Sequence, residues 1–243
     1  MSTRVRIDRL LVARGLFESR AKAQDAIAAG LVTADGVTVQ KPSDEVAADA
    51  VLSAEPAHPY VSRGGVKLAA ALDHFGFDPR GGVCLDVGAS TGGFTEALLT
   101  RGALRVYAVD VGRGQLHERL RGRPEVVSLE ATDIRDLAAT QLAEPPDFVT
   151  VDVSFISLKQ VLPAALAFTR RPARLIALIK PQFEAGRQAL KKGIVRDAAV
   201  QDAVCADVAA CVTSLGWAVA GIVPSPITGG DGNREFLIAA ARD

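Results

Sequence analysis

Lys67, Asp152, Lys180 and Glu235 are the side chains whose types and positions could do chemistry together. Asp152 closes the run DFVTVDV, Lys180 closes RLIALIK, Lys67 lies in VKLAAALDHF and Glu235 opens REFLIAA. A lysine whose pKa has been lowered can serve as a base, and its ammonium form can stabilise an alkoxide as it develops. Partial burial and a second nearby ammonium lower a lysine pKa, whereas an adjacent carboxylate opposes that shift. Lys180 is the most telling of the four: five apolar residues, Leu175 to Ile179, lead directly into a side chain that is costly to bury. Pro181 disfavours a helical conformation at Lys180 and halts regular strand pairing just beyond it. The bland alternative is a lysine that snorkels from the strand end into solvent.

These residues can meet only if the elements that carry them share an edge. VCLDVG, RVYAVDV, EVVSLEA, DFVTVDV and RLIALIK are short β-rich runs, separated by pieces long enough for crossover helices. That alternation predicts a parallel sheet with helices on both faces, and ligands bind at the C-terminal edge of such sheets. Asp152 and Lys180 become neighbours there if the fourth and fifth strands pair. WAVAGIV and REFLIAAA extend the same sheet as an antiparallel pair at its edge.

At the first of these strand ends, LDVGASTGGFTEALL places a strand, a glycine-rich turn and a helix in succession. Helix N-terminal N–H groups and glycines without side chains let a polar ligand approach the backbone. The order is Asp86, Gly88, Ala89, Ser90, Thr91, Gly92, Gly93, Phe94, which is not the GxGxxG of dinucleotide folds. It resembles the first motif of S-adenosylmethionine-dependent methyltransferases. Asp110, followed by Val111, ends the second strand where it can accept ribose hydroxyls. Asp133, followed by Ile134, lies just past the third, where it can receive an adenine amino group. Both cofactor classes use an acid at the second strand, so Asp110 alone does not discriminate.

Upstream, Ile7, Leu10 and Leu11 recur at helical spacing up to Gly15, and Ser19 reads as the cap of a helix from Arg20 to Ala29 that Gly30 closes. LVTADGVTVQKP then predicts a hairpin turning at Asp35-Gly36. This first helical pair is basic within a chain of 243 residues whose formal net charge is zero. Arg4, Arg6, Arg14, Arg20, Lys22 and Lys41 are its candidate phosphate contacts, with Arg63, Lys191 and Lys192 extending the surface further along the chain. Pro56, Pro59, Gly64 and Gly65 mark a boundary, giving a first domain over residues 1–58, a linker over 59–65 and a second domain over 66–243.

The Lys67-Asp152-Lys180-Glu235 order and its strand positions resemble the FtsJ-like 2′-O-ribose methyltransferases. The N-terminal unit is similar to the RNA-binding domain of ribosomal protein S-four. Together, RIDRLLVARGLFESRAKAQDAI, GVTVQKPS, YVSRGGVKLAAAL, LDVGASTGGFT, VDVSFISL, IKPQFEAG and GGDGNREFL resemble the TlyA family of ribosomal RNA methyltransferases, whose members also carry the haemolysin name. The resemblance implies a Rossmann-like α/β domain with a mostly parallel seven-stranded sheet, plus a small α+β RNA-binding domain. It implies S-adenosylmethionine as methyl donor and cytidine 2′-O-methylation of ribosomal RNA in the small subunit, with the large subunit left open. It carries the catalytic tetrad onto Lys67, Asp152, Lys180 and Glu235. Enzymes that methylate exocyclic nitrogens have D/N-P-P-aromatic where this chain has Asp152-Val153-Ser154-Phe155, which points away from such an acceptor.

Other classes find less support. Cys84, Cys205 and Cys211 show no CxxC spacing, and His58, His74 and His117 have no metal-ligand spacing, so no metal is expected and a reducing, cytoplasmic setting fits. MSTRVRIDRL lacks the apolar core of a signal peptide. The stretch from Val208 to Gly230 carries no charge and is long enough to span a bilayer, which prompts a membrane-lytic alternative. Its glycines and prolines divide it into a helix ending near Gly216 and a strand from Trp217 to Val223. A binding module that kept the fold and lost catalysis is a further alternative, one the intact motifs disfavour. No stable protein partner is implied.

Overall fold

The computed structural model describes residues 3–229 and 232–243, and the chain divides into two compact units, Met1–Pro59 and Tyr60–Asp243. In the first, β1 (Arg4–Arg6) leads into α1 (Ile7–Ala13) and α2 (Arg20–Ala28). Strands β2 (Val32–Ala34), β3 (Val37–Thr38), β4 (Glu45–Ala47) and β5 (Leu52–Ala54) come next. Ser19 accepts from Lys22 N at 3.3 Å, the expected cap of α2. Asp35 and Gly36 have φ of 49° and 78°, the two positive values a two-residue I′ turn requires, and β2 pairs antiparallel with both β3 and β5. Ile7 and Leu11 of α1 pack on Ala23, Ala26 and Ile27 of α2 to close a small core against the sheet.

The second unit begins with α3 (Gly64–Phe75), β6 (Val83–Val87), α4 (Gly93–Thr100), β7 (Arg105–Val109), the single turn α5 (Glu118–Arg121) and β8 (Val126–Leu129). It continues with β9 (Phe148–Val151), α6 (Leu158–Ala167), β10 (Ala173–Ile179), α7 (Pro181–Glu184), α8 (Ala198–Ser214), β11 (Ala218–Pro224) and β12 (Phe236–Arg242). Its seven-stranded sheet has the order β11-β12-β10-β9-β6-β7-β8. Strands β6 to β10 are mutually parallel, and β12 runs antiparallel to both β10 and β11, as the sequence predicts. The period of two sorts the side chains. Leu85, Val87, Val149, Val151, Leu175 and Ile179 face α6 and α8, while Cys84, Phe148, Ile176 and Leu178 face α3 and α4. Both faces are covered, which is why the central strands read as continuous apolar runs.

Three expectations differ. Residues 60–65, read as linker, are part of the second unit: Val61 is buried in its core and α3 already starts at Gly64. The crossover from β8 to β9 contains no α-helix; Ile134, Leu137 and Leu142 plug the core from irregular chain, and Pro145-Pro146 lead into β9. The crossover from β7 to β8 holds only the four residues of α5. The uncharged stretch after Val208 divides as predicted, into the end of α8 and β11, although Gly230 at its far end and Asp231 of GGDGNREFL lie outside the described residues. Among the described residues no helix is long and apolar enough to cross a membrane.

Candidate active site

The register of the sheet brings the charged residues together. Antiparallel pairing of β10 with β12 ends at Ile179 opposite Phe236, so the next step sets Lys180 level with Glu235. Parallel pairing with β9 sets Val151 opposite Ala177, which leaves Asp152 level with Leu178. The Lys180 side chain reaches back over that two-residue offset. Its Nζ lies 2.6 Å from Asp152 Oδ1 and donates to Ser154 Oγ at 2.9 Å. The approach to Asp152 is off-axis for a hydrogen bond, so that contact is an ion pair. Lys67, near the start of α3, donates to Glu235 Oε2 in a second ion pair whose members are only 8% and 4% exposed. Lysine and glutamate are buried to this extent almost only when paired.

The turn beyond Lys180 fixes the direction of its backbone. Lys180 itself is extended, with φ −113° and ψ 98°, and Pro181 opens α7 at the position where its missing N–H would be unpaired in any case. Glu184 at the end of α7 accepts from Ser157 Oγ at 2.5 Å and Leu158 N at 2.7 Å, which pins the start of α6. Between them, the ring of Phe183 sits 5.0 Å from that of Phe155. Phe155 is 91% exposed and has φ +64°, an unusual pairing of apolar exposure with left-handed backbone. Sequence reading passed over Phe155, Gln182 and Phe183. The available signal was an aromatic immediately after Asp152-Val153-Ser154 at the end of β9 and a second aromatic three residues past Lys180.

Beside these pairs, a cavity of 380 Å³ runs along the ends of β6, β7 and β8, lined by Gly88, Ser90, Asp110, Val111, Asp133, Ile134 and the Asp152–Phe155 segment. Asp110 accepts from Ser90 N at 2.8 Å and Gly112 N at 2.7 Å, so the turn after β6 is tied to the end of β7 and carboxylate lone pairs remain for a ligand. Asp133 is clamped by Arg135 at 2.6 and 2.9 Å, and that guanidinium holds its carboxyl down at about 2. Gly88 has φ +83°, and a Cβ there would lie 2.3 Å from Asp152 O; only glycine lets β6 and β9 end this close together. A second cavity of 300 Å³ adjoins the first, lined by Arg63, Lys67, Gly88, Ser90, Thr91, Gly93, Phe94, Asp152 and Lys180 among others.

Asp86 and Gly92 stand behind this wall and line neither cavity. Asp86 is wholly buried and accepts from Thr95 Oγ1 at 2.6 Å and Thr150 Oγ1 at 2.8 Å, joining β6, α4 and β9. Burial pushes its carboxyl up to about 6, and the nearby Asp152 adds to the rise, while the two threonine hydroxyls oppose it. Its position follows from strand alternation: Leu85 and Val87 face α6 and α8, so Asp86 must face α4.

In the first unit the basic residues are largely engaged. Asp8 is completely buried and accepts from Arg6, from Arg20 at 2.6 Å and from Gln24 at 3.1 Å. Arg6 and Arg20 keep side-chain exposures of 39% and 50%, so each clamps Asp8 from the surface. Arg14 donates to Ala48 O and Ala50 O, Arg4 to Glu45 O, and Lys22 to Glu18 at 2.7 Å. Lys41 is exposed.

Known proteins resemble this chain in sequence and in fold. A model of the FtsJ-like methyltransferases matches residues 60–242 and a model of the S4 domain matches residues 5–52. The chain is 44% identical over 243 residues to the 16S/23S rRNA (cytidine-2′-O)-methyltransferase TlyA of Mycobacterium tuberculosis, a match that covers 98% of this chain and 90% of that protein. The chain belongs to the TlyA family of FtsJ-like methyltransferases. Hemolysin A of Brachyspira hyodysenteriae is another relative in sequence, 38% identical over 235 residues, with 96% of this chain and 98% of that protein covered. A solved hemolysin-named structure from Streptococcus thermophilus superimposes with a TM-score of 0.78 at 39% identity, covering all of this chain and 90% of that one. The TlyA-family chain is thus an enzyme with a methyltransferase domain and an S4 domain, as the motifs imply.

Proposed function

We propose that this chain transfers a methyl group from S-adenosylmethionine to the 2′-hydroxyl of a ribose in ribosomal RNA, with cytidine as the target nucleoside, as in the name of its M. tuberculosis relative. The observation that carries the reading is the Lys180–Asp152 pair held at the sheet edge between two cavities and backed by Lys67–Glu235. When bound, S-adenosylmethionine supplies an electrophilic methyl on a sulfonium. The residues present fit it: Asp110 offers free lone pairs at the end of β7, Val111 and Ile134 offer apolar walls, and Gly88 leaves the backbone bare.

A ribose hydroxyl must shed its proton as it attacks. Lys180 Nζ, already oriented by Asp152 and Ser154, engages the 2′-oxygen, either as the ammonium stabilising its developing charge while the proton passes to solvent, or as the neutral amine accepting that proton. Asp152 also lies at the cavity wall, where it borders the reacting methyl. Lys67 and Glu235 keep the surrounding network fixed, so acceptor and donor can be held in line, which removes much of the entropic cost. In the first unit, Lys41 and the exposed faces of Arg4, Arg6, Arg14, Arg20 and Lys22 contact phosphates, and Arg63 does so beside the site; such contacts give salt-dependent affinity without reading sequence.

Full-length protein incubated with methyl-labelled S-adenosylmethionine and separated ribosomal subunits tests this. Label should appear on a cytidine ribose 2′-oxygen of subunit RNA; label on a base nitrogen, or none on either subunit, overturns it.

A further inference from the structure

The cavity along the ends of β6, β7 and β8 has a polar lining residue that the mechanism above does not use: Gln115, exposed on the loop between β7 and α5. Its backbone is fixed. Glu130, just past β8, accepts from the N–H groups of Gly114 at 2.7 Å, Gln115 at 2.8 Å and Leu116 at 3.0 Å. Its side chain is placed as well, by what Gly112 lacks. A Cβ at Gly112 would lie 2.2 Å from Gln115 Nε2 and 3.0 Å from Asp110 Oδ1, so the bare glycine makes the room in which the amide folds back towards that carboxylate. Neither Nε2 nor Oε1 of Gln115 has a hydrogen-bond partner among the described residues. The amide is therefore held at the cavity wall, open to solvent and with its donors unspent.

We infer that Gln115 is a second ribose-binding residue of the donor site, its Nε2 donating to a ribose hydroxyl oxygen whose own proton goes to Asp110. The inference rests on S-adenosylmethionine occupying this cavity, as proposed above, and adds a residue to its recognition. Counting donors and acceptors leads to it. Each Asp110 oxygen already accepts one N–H, Oδ2 from Ser90 at 2.8 Å and Oδ1 from Gly112 at 2.7 Å. A carboxylate offers about four lone-pair sites in all, so roughly one remains on each oxygen, enough for the two O–H groups of a ribose diol. A carboxylate can only accept, however, and each hydroxyl oxygen brings lone pairs of its own that need a donor. Of the side chains that line this end of the cavity with Asp110, Val109 and Val111 carry no donor, and Thr132 gives its hydroxyl proton to Glu130 O at 3.1 Å. Ser90 meets the carboxylate on the Oδ2 side, and Gln115 lies across Gly112 on the Oδ1 side. The amide supplies there what the carboxylate cannot, so a donor lacking the hydroxyl between them loses a bond to each.

The test is calorimetric titration of full-length wild type and Gln115→Leu with S-adenosylhomocysteine, which binds without reacting, and with its 2′-deoxy and 3′-deoxy analogues. Gln115→Leu should bind S-adenosylhomocysteine about 3- to 10-fold more weakly than wild type. Because Gln115 is exposed, the ligand-free variant should melt within about 2 °C of wild type, so the loss is not one of folding. Wild type should lose about 10- to 100-fold on one of the two deoxy analogues, and on that analogue the two proteins should agree within about twofold, since the hydroxyl that Gln115 addresses is gone. Equal affinity of the two proteins for S-adenosylhomocysteine, or the same factor between them on all three ligands, overturns the assignment. So does a factor that vanishes instead on the analogue with an oxo group in place of the adenine 6-amino group, which would put Gln115 at the base. Failure of wild type to bind S-adenosylhomocysteine overturns the donor reading beneath it.

Discussion

Replacing Glu235 by alanine would leave the Lys67 ammonium, 8% exposed, enclosed by protein with its counter-charge gone. Breaking one side of a buried pair costs about 3–5 kcal/mol, because the remaining charge has lost its hydration without compensation. For a unit of this size each kcal/mol lowers Tm by about 2–4 °C, so the transition of the methyltransferase unit should fall by about 6–20 °C. Removing both charges in Lys67→Met/Glu235→Leu should recover most of that loss, since apolar side chains of similar volume tolerate the same burial. Differential scanning calorimetry of the full-length variants measures both effects. The double variant also separates folding from function: it should melt near wild type and still transfer methyl poorly, because the polar network beside Lys180 is gone. A single variant that melts within about 2 °C of wild type, or a double variant no more stable than the single, would refute the reasoning.

Other parts of the structure make equally concrete claims. Asp8→Ala should destabilise the first unit by about 1.5–3 kcal/mol, since Arg6, Arg20 and Gln24 all lose their acceptor, and hydrogen exchange at residues 20–28 should rise selectively. Arg6 holds the Asp8 carboxyl well below the usual carboxylate range, so its contribution is present above about pH 4 and is lost as pH falls below that; circular dichroism of wild type against Asp8→Ala would show the difference closing in acid. Asp86 has the opposite sign. Burial raises its carboxyl to about 6, so its contribution is fully present below about pH 4 and declines by about 3 kcal/mol as pH rises through 6, a slope that urea unfolding should find missing in Asp86→Asn. Gly88→Ala forces a methyl group against Asp152 O at φ +83° and should weaken S-adenosylmethionine binding by at least about tenfold, as read by calorimetric titration.

The outcome at RLIALIKPQFE shows how far the sequence could be read. The apolar run, the terminal lysine and the proline stop were legible because each is a local preference, and the mostly parallel sheet followed from the βα alternation. Convergence of Lys180 with Asp152 was legible too, given parallel pairing of the fourth and fifth strands. Direction was not. Asp86 belongs to the glycine-rich motif by spacing, yet its side chain points to Thr95 and Thr150 instead of the cavity. Asp8 reads as one acid among arginines, and its burial under Arg6 and Arg20 arises only when α1 and α2 pack. Gln182 and Phe155 are ordinary residues in sequence; only the fold brings four segments, 154–155, 180–183, 190–193 and 233–235, to the walls of one cavity.

The central claim is that Lys180 engages the ribose hydroxyl, and the most direct measurement is single-turnover transfer by Lys180→Ala on ribosomal subunits at saturating S-adenosylmethionine, with donor affinity measured in parallel. Transfer to the mapped 2′-oxygen should fall by at least about 100-fold, while donor affinity stays within about twofold of wild type. Transfer at close to the wild-type rate with donor bound would contradict the account.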